Sequence, residues 1–464
     1  MMIHPFFRQV GSLIGCYLIT MGMSSVLGYS SVLIPQMQLR TSRVQIKSQH
    51  EISLVASIAA LPLALGTILN GYLMEKYGRK PALIFSQIPA PGWLIIALSQ
   101  NIYMVYTGRF LTGWSAGMCS GLANVYVAEI ASIQYRSILL ALLNFCINLG
   151  ILLCHIFGLL LEWQYSSIVI FAYAVLGTIF MFFSPETPFW LILNDKYDRS
   201  AKIFTWLRGL SEEDTTSPEF EGLKKKAEYM KSMQKGFKYY MNCFLRPEFY
   251  KPLTISSMFF LISQFSGISS ITFYSMTIFQ EVLGPEFPGE VAMITVDTLR
   301  LVCSLVTIVL MQYISRRVQA LISGGGVTFS LLLMSIYSMV CNSFGYDINY
   351  LVPLCSVVTY ICFMSFGFMP LPWCMLGELF SADNKGLGAG ISSTISYLAA
   401  FVVVNSLPYM FSNLGSDGTF LTYGIIAMLG TVYLFFFLPE TRNKTFAEIE
   451  ENYKKKTSEI TANQ

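Results

Sequence analysis

Glu129 and Arg136 stand seven residues apart in EIASIQYRS (129–137), and Glu378 stands seven residues before Lys385 in ELFSADNKG (378–386). Other charges sit in matching segments. Glu75 and Arg79 lie in GYLMEKYGRK (71–80), Arg316 and Arg317 in QYISRR (312–317), Glu186 in PETPFW (185–190) and Glu440 in PETRNK (439–444). Three landmarks recurring in the same order point to an internal duplication. The chemistry such residues offer is charge pairing that holds segments together and can be released. Arg109, inside an apolar run, is grouped with this gating network. No nucleophile beside a base, metal-ligand cluster or phosphate loop appears, so no enzyme and no cofactor are expected.

A second set of residues places polar atoms inside apolar runs. SQFSGISSITFY (263–274) carries Gln264, Ser266, Ser269, Ser270 and Thr272 around Gly267. That is too many to face lipid, where an unpaired polar group costs several kcal/mol, about 4–8 on a cyclohexane scale. SFGFMPLPWCMLGELF (365–380) holds Pro370 and Pro372 beside Trp373. Proline costs a helix about 3 kcal/mol or more, and irregular backbone at membrane depth survives only where protein or a cavity covers it. Gly267, Pro370 and Pro372 are therefore expected to act as hinges beside a central cavity, with Trp373 presenting an aromatic face. Asp297 and Arg300 add charge at membrane depth, where an arginine costs roughly 2.5–3.5 kcal/mol on insertion scales. Their spacing puts them on one helix face. They read either as a self-satisfied pair near the outer mouth or as a cationic cavity group for acidic solutes. His155 reads as a titratable group or as a packed, hydrogen-bonded one.

The elements that position these residues follow from composition. Of 464 residues, 54% are hydrophobic and 12% charged, against roughly 25% charged in soluble domains. Twelve apolar runs are long enough to cross a bilayer, near 11–34, 52–74, 82–99, 103–126, 138–161, 167–184, 253–280, 291–313, 319–341, 350–376, 388–410 and 420–438. A membrane helix needs about 20 such residues, and no strand-like alternation suggests a barrel. The first run reads as a retained span, since it is too long for a signal-peptide core.

Most of the 30 Lys and Arg fall on one side if both termini are cytoplasmic, as the positive-inside rule requires. The net charge of +3 is then a topology signal, with no nucleic-acid partner. The polar stretch 194–251 opens with KYDRSAKIFTWLRGL, whose Ile203, Phe204 and Leu207 share a face, and predicts short helices on the base of the bundle. The chain thus divides into a six-helix bundle (1–193), a cytoplasmic connector (194–251), a second six-helix bundle (252–438) and a tail (439–464). Ten cysteines, mostly within spans, behave as small apolar residues. The fold class is an all-α membrane protein of twelve transmembrane helices in two parallel repeats, an architecture known among transporters.

These motifs together resemble the sugar porter family of the major facilitator superfamily, including insect trehalose transporters and facilitative glucose transporters. Beyond the charged motifs the resemblance rests on Gly108-Arg109, Tyr126-x2-Glu129, Gln264-x2-Gly267 and Pro370-x-Pro372-Trp373. It implies alternating access and a substrate site at Asn144, Ser263, Gln264, Ser269, Trp373, Ser396 and Tyr397. Several of these depart from the family residue. Asn144 and Ser263 stand where it has glutamine, Ser269 where it has asparagine, and Ser396-Tyr397 where it has Asn-Trp. Met369 and Ser315 replace glycines, Gln312 replaces an acid and Arg300 replaces a neutral amide. Gln312 and Ser315 predict a weaker second charge network. Ser30 stands where family proton symporters have an acid, which favours uncoupled diffusion. The expected function is transport of sugars or similar polyhydroxylated solutes across the plasma membrane by a monomer. The alternatives are a non-transporting sensor or degenerate paralogue, and a porter for charged organic solutes.

Overall fold

The computed structural model describes residues 4–210, 218–232, 243–283, 288–311, 313–344, 351–380 and 385–442, and every regular element among them is helical. Span 1 is Pro5–Gln38, span 2 is Gln49–Ser57 with Ala60–Lys76, and span 3 is Arg79–Phe85 with Gly92–Ala97. Spans 4, 5 and 6 are Ile102–Ile130, Arg136–Leu160 and Trp163–Phe183. Span 7 is broken into Pro247–Phe265, Ile268–Phe273 and Ser275–Leu283, and span 8 is Gly289–Leu310. Span 9 is Arg316–Phe344. Span 10 joins Leu351–Phe363 to Pro370–Leu379 through a π-helical turn, Met364–Phe368. Lys385–Phe437 forms spans 11 and 12, turning at Gly415 with φ 72°. Eight of these stretches are long and apolar enough by themselves to cross a membrane, the last of them double length. Span 4 is long but rich in small and polar residues, because its faces pack against protein rather than lipid. At Gly113 and Gly117 a Cβ would lie 2.1 and 2.2 Å from the carbonyl oxygens of Ala59 and Leu63 in span 2. Small residues allow that close approach.

The connector docks on the end of the bundle that carries the N terminus. Helix Tyr197–Arg208 buries Phe204 and Leu207. Arg8 donates to Trp206 O at 2.9 Å, and Gln9 donates to Leu207 O at 3.2 Å. Arg208 pairs with Glu219 of the next helix, Pro218–Ser232, at 2.7 Å and donates to Ile130 O at 2.9 Å. Residues 211–217 and 233–242 of the expected connector lie outside the described residues, as do Gln312 and the tail beyond Arg442.

The two halves are sealed at the opposite, far side. Ser53 of span 2 donates to Asn405 of span 11 at 2.7 Å, and Ser57 donates to the same side chain at 3.1 Å. Gln49 donates to Ser412 at 2.9 Å, and His50 meets Tyr409 at 3.3 Å. Ser31 of span 1 donates to Thr272 O at 2.9 Å and accepts from Ser275 N at 3.1 Å. Among the described residues, the charged groups at the connector-side helix ends of the two halves bond within their own half, and the connector bonds to itself and to the first half. The bundle is therefore closed at the far side.

Candidate functional site

The break in span 10 is repaired by its neighbours. A proline at position i leaves the carbonyl of residue i−4 without its helical donor. For Pro370 that carbonyl is Phe366, which accepts from Gln319 Nε2 of span 9 at 2.5 Å. For Pro372 it is Phe368, which accepts from Ser263 Oγ of span 7 at 2.9 Å. Ser365 O accepts from Thr307 of span 8 at 3.1 Å, and Phe363 O from Ser323 of span 9 at 2.6 Å. Ser263 is thus buried and committed to backbone, which corrects its expected place in the solute site. The prolines do not kink a continuous helix; Pro370 opens a new one after the π turn, and side chains of spans 9 and 7 supply the donors that the prolines lack. Gln319, Ser323 and Thr307 were missed. Their only sequence signal was polarity at membrane depth in the spans flanking a Pro-rich one. Gln319→Leu is expected to leave the Phe366 carbonyl unsatisfied, a loss of about 1–3 kcal/mol offset in part because Gln319 Oε1 is itself buried without a partner, read as a lower thermal midpoint in detergent. Val318→Leu, on the exposed face, should leave the midpoint unchanged.

Trp373 lies in the first turn of helix Pro370–Leu379 and is 37% exposed. Its ring packs edge-on against Phe260 of span 7 at 4.9 Å and lies 5.9 Å from Tyr397 of span 11. The Tyr397 hydroxyl bonds Ser120 of span 4, so this aromatic cluster touches both halves. Gln264 is half-buried; it donates to Ser396 Oγ at 3.1 Å and accepts from Ser269 at 2.5 Å. Gly267, with φ 90°, ends the first piece of span 7 just beyond. Not all the polar side chains of span 7 face an opening. Ser270 meets Tyr423 at 3.0 Å, while Ser266 and Thr272 donate to their own helix. Asn144 in span 5 is half-buried, and its amide makes no hydrogen bond among the described residues. Asn148, one turn on, keeps a buried and unpartnered Oδ1; sequence reading had not singled it out.

The charge network resolves into two like clusters, one in each half. Arg79 pairs with Glu129 at 2.9 Å and donates to Met74 O at 3.1 Å. Arg316 pairs with Glu378 at 3.1 Å and donates to Met311 O at 2.7 Å. Glu186 accepts from the backbone of Thr187 at 2.8 Å and of Arg79 and Lys80 at 3.2 Å. Glu440 accepts from the backbone of Arg316 and Arg317 at 3.0 and 3.1 Å. In this conformation the pairs lie within halves. With the far side closed, the connector-side ends have no reason to meet. Glu75 and Arg136 are exposed, with no side-chain partner among the described residues.

Arg109 does not belong to this network. It is fully buried nearer the far side, where it donates to Val26 O at 3.1 Å and Ser30 Oγ at 2.5 Å. Span 4 runs from the far side to the connector side, so a residue early in it cannot reach the clusters. The second network also keeps the skeleton of the first despite Ser315, whose hydroxyl supports Glu440.

The two glutamates differ in setting. Burial pushes the Glu186 carboxyl above its ordinary range despite its backbone donors. Burial also acts on Glu440, but donors from Arg442, Arg317 and Arg316 outweigh it and hold that carboxyl below the ordinary range. As pH falls, Glu186 takes its proton first, and that relieves an unfavourable charge. The contribution of Glu440 is present above the ordinary glutamate range and is lost only as pH falls through its lowered value.

Asp297 does not rest on Arg300 alone. Its Oδ2 bonds Nδ1 of His155, across the halves, while Arg300 lies 3.8 Å from Oδ1 and makes no hydrogen bond among the described residues. Both Asp297 and Arg300 are buried.

Comparison with known proteins gives this arrangement its place. The chain is 32% identical over 435 residues to a facilitated trehalose transporter, Tret1, of Drosophila grimshawi, covering 93% of the chain and 46% of that relative. It is 29% identical to Tret1 of Culex quinquefasciatus, covering 92% and 83%. The chain spans about half the length of the Drosophila relatives it matches. Its fold matches the major facilitator protein XylE, a proton:xylose symporter, with TM-score 0.75 at 18% identity, covering 97% of this chain and 99% of that one. The inward open conformation of the xylose transporter XylE from E. coli gives TM-score 0.74 at the same identity and coverage. The family described as "Sugar (and other) transporter" matches residues 13–453. The chain, a multi-pass membrane protein of the major facilitator fold, belongs to that sugar transporter family.

Proposed function

We propose that the chain is a facilitative carrier for a sugar or similar small polyhydroxylated solute, working by alternating access. The observation that carries this reading is the cluster of Gln264, Ser269, Ser396, Trp373 and Tyr397 in the second half, where amide, hydroxyls and aromatic faces meet and Tyr397 reaches Ser120 of the first half. Sugars need that combination: hydrogen-bond partners for hydroxyls and a ring face for the apolar side of the pyranose. Asn144 and Asn148 offer further amide groups in span 5. The trehalose relatives make a disaccharide the first solute to try. The orientation with both termini cytoplasmic, in a plasma membrane, follows from the distribution of basic residues. In that orientation the far side is extracellular, and the conformation described faces the cytosol. Gly267 and the π turn of span 10 serve as hinges, and the paired charges of each half hold the connector-side helix ends as the halves rock. The division at 193, 251 and 438 separates the two bundles, their connector and the tail.

The test is uptake of labelled trehalose and hexoses into proteoliposomes. Trp373→Ala should raise the half-saturating concentration roughly tenfold, as expected for losing an aromatic contact of about 1–2 kcal/mol. Unchanged kinetics would remove Trp373 from the site. Binding without flux in the unmodified chain would replace the carrier with a sensor.

A further inference from the structure

One buried polar contact joins span 5 of the first half to span 8 of the second, toward the far side. His155 is fully buried and Asp297 is 3% exposed. Nε2 of His155 lies 3.0 Å from the carbonyl oxygen of Gly28, and Nδ1 lies on Oδ2 of Asp297. A carbonyl oxygen only accepts, so Nε2 carries a hydrogen. An ionised carboxylate also only accepts, and it would repel a lone pair on Nδ1. The contact therefore requires one more proton, held either on the imidazole or on the carboxyl.

The other groups around the pair do not remove that requirement. Among the described residues the nearby titratable groups are Cys154, beside His155 and interacting with Asp297 and Arg109 of span 4; Tyr29 of span 1 and Tyr173 of span 6, which interact with Cys154; and Tyr360 of span 10, which interacts with Arg300. Arg109 is committed to Val26, Val55 and Ser30. From span 8 comes Arg300, on the other oxygen of Asp297 at 3.8 Å. Glu290, at the start of span 8, is exposed.

We infer that His155 and Asp297 form a proton-binding site whose occupation is part of far-side closure. Opening the far side separates spans 5 and 8. Asp297 then falls back on Arg300 in its own helix, and His155 gives its proton to the compartment that the opening admits. The closed pair is sealed from the opposite compartment, so the proton returns to where it came from and is not carried across. External acid thus favours the state closed to the outside, because the state that binds the extra proton gains with acidity. This cycle rests on the carrier reading.

The experiment places a cysteine at Ser53, buried in the far-side seal, in the full chain and in His155→Gln and Asp297→Asn backgrounds. In His155→Gln the new side-chain amide can donate to the carboxylate without titrating. In Asp297→Asn the new amide can donate to the imidazole without a shared proton. Labelling by a membrane-impermeant methanethiosulfonate is followed from external pH 8 to 5.5, over the signal of each chain lacking the cysteine. Dividing by the rate in His155→Gln removes the pH dependence of the thiol itself. The expected ratio for the unmodified pair falls with acidity, by at most about tenfold per pH unit for a single linked proton. For Asp297→Asn the ratio stays flat. A flat ratio in the unmodified chain overturns the inference, as does a falling one in Asp297→Asn. Proton entry accompanying solute, lost in His155→Gln, would overturn the return of the proton to its own side. If no solute moves, labelling still reports on the pair, so failure of the carrier reading and failure of this one are distinct.

Discussion

Glu129→Gln is expected to destabilise the protein by about 3–5 kcal/mol, the range for removing one partner of a buried ion pair. Arg79 and Glu129 have side chains 9% and 16% exposed, against 17% and 30% for Arg316 and Glu378. Glu129 Oε2 has no hydrogen-bond partner, so the carboxylate is already incompletely served. Losing its charge leaves the Arg79 guanidinium with a neutral amide oxygen and Met74 O as its acceptors, uncompensated in a poorly solvated pocket. The matching change Glu378→Gln should cost less, about 1–2 kcal/mol, because water reaches that pair and screens it. Thermal midpoints in detergent decide the point, and Arg79→Gln combined with Glu129→Gln should recover part of the loss. Equal costs in the two halves would show that burial does not set the difference.

Substituting Gly267 should abolish most transport. Its φ of 90° lies in the left-handed region, which costs an L-residue roughly 1–2 kcal/mol. A Cβ there would also stand 2.7 Å from the ring of Tyr423. Span 7 would have to shift, carrying Gln264 and Ser269 with it, and a misplacement of about 1 Å can cost a site about a hundredfold. Gly267→Ala is therefore expected to reduce solute uptake by at least about tenfold while the protein still reaches the membrane. Adding Tyr423→Leu relieves the clash but not the backbone strain, so it should restore only part of the activity. Full restoration would assign the whole effect to the contact, and normal uptake by Gly267→Ala alone would dismiss the hinge.

Some of this was settled by sequence alone. The order of spans, the duplicated charge motifs and the irregular backbone at Gly267 and just ahead of Pro370 are local properties. Apolar run length, motif spacing and proline chemistry carry them without reference to any partner. Membership of the fold follows from them.

What the tertiary structure decided is who meets whom. Glu129 meets Arg79, fifty residues away in the chain; Arg300 was adjacent for Asp297, but His155 bonds it across the halves. Ser263 read as a solute ligand and instead covers the carbonyl that Pro372 leaves bare. Each helical residue turns the side chain by about 100°, since roughly 3.6 residues make a turn, so a small rotation of a span changes every partner. That rotation is fixed by packing between segments far apart in the chain, and no single stretch of residues encodes it.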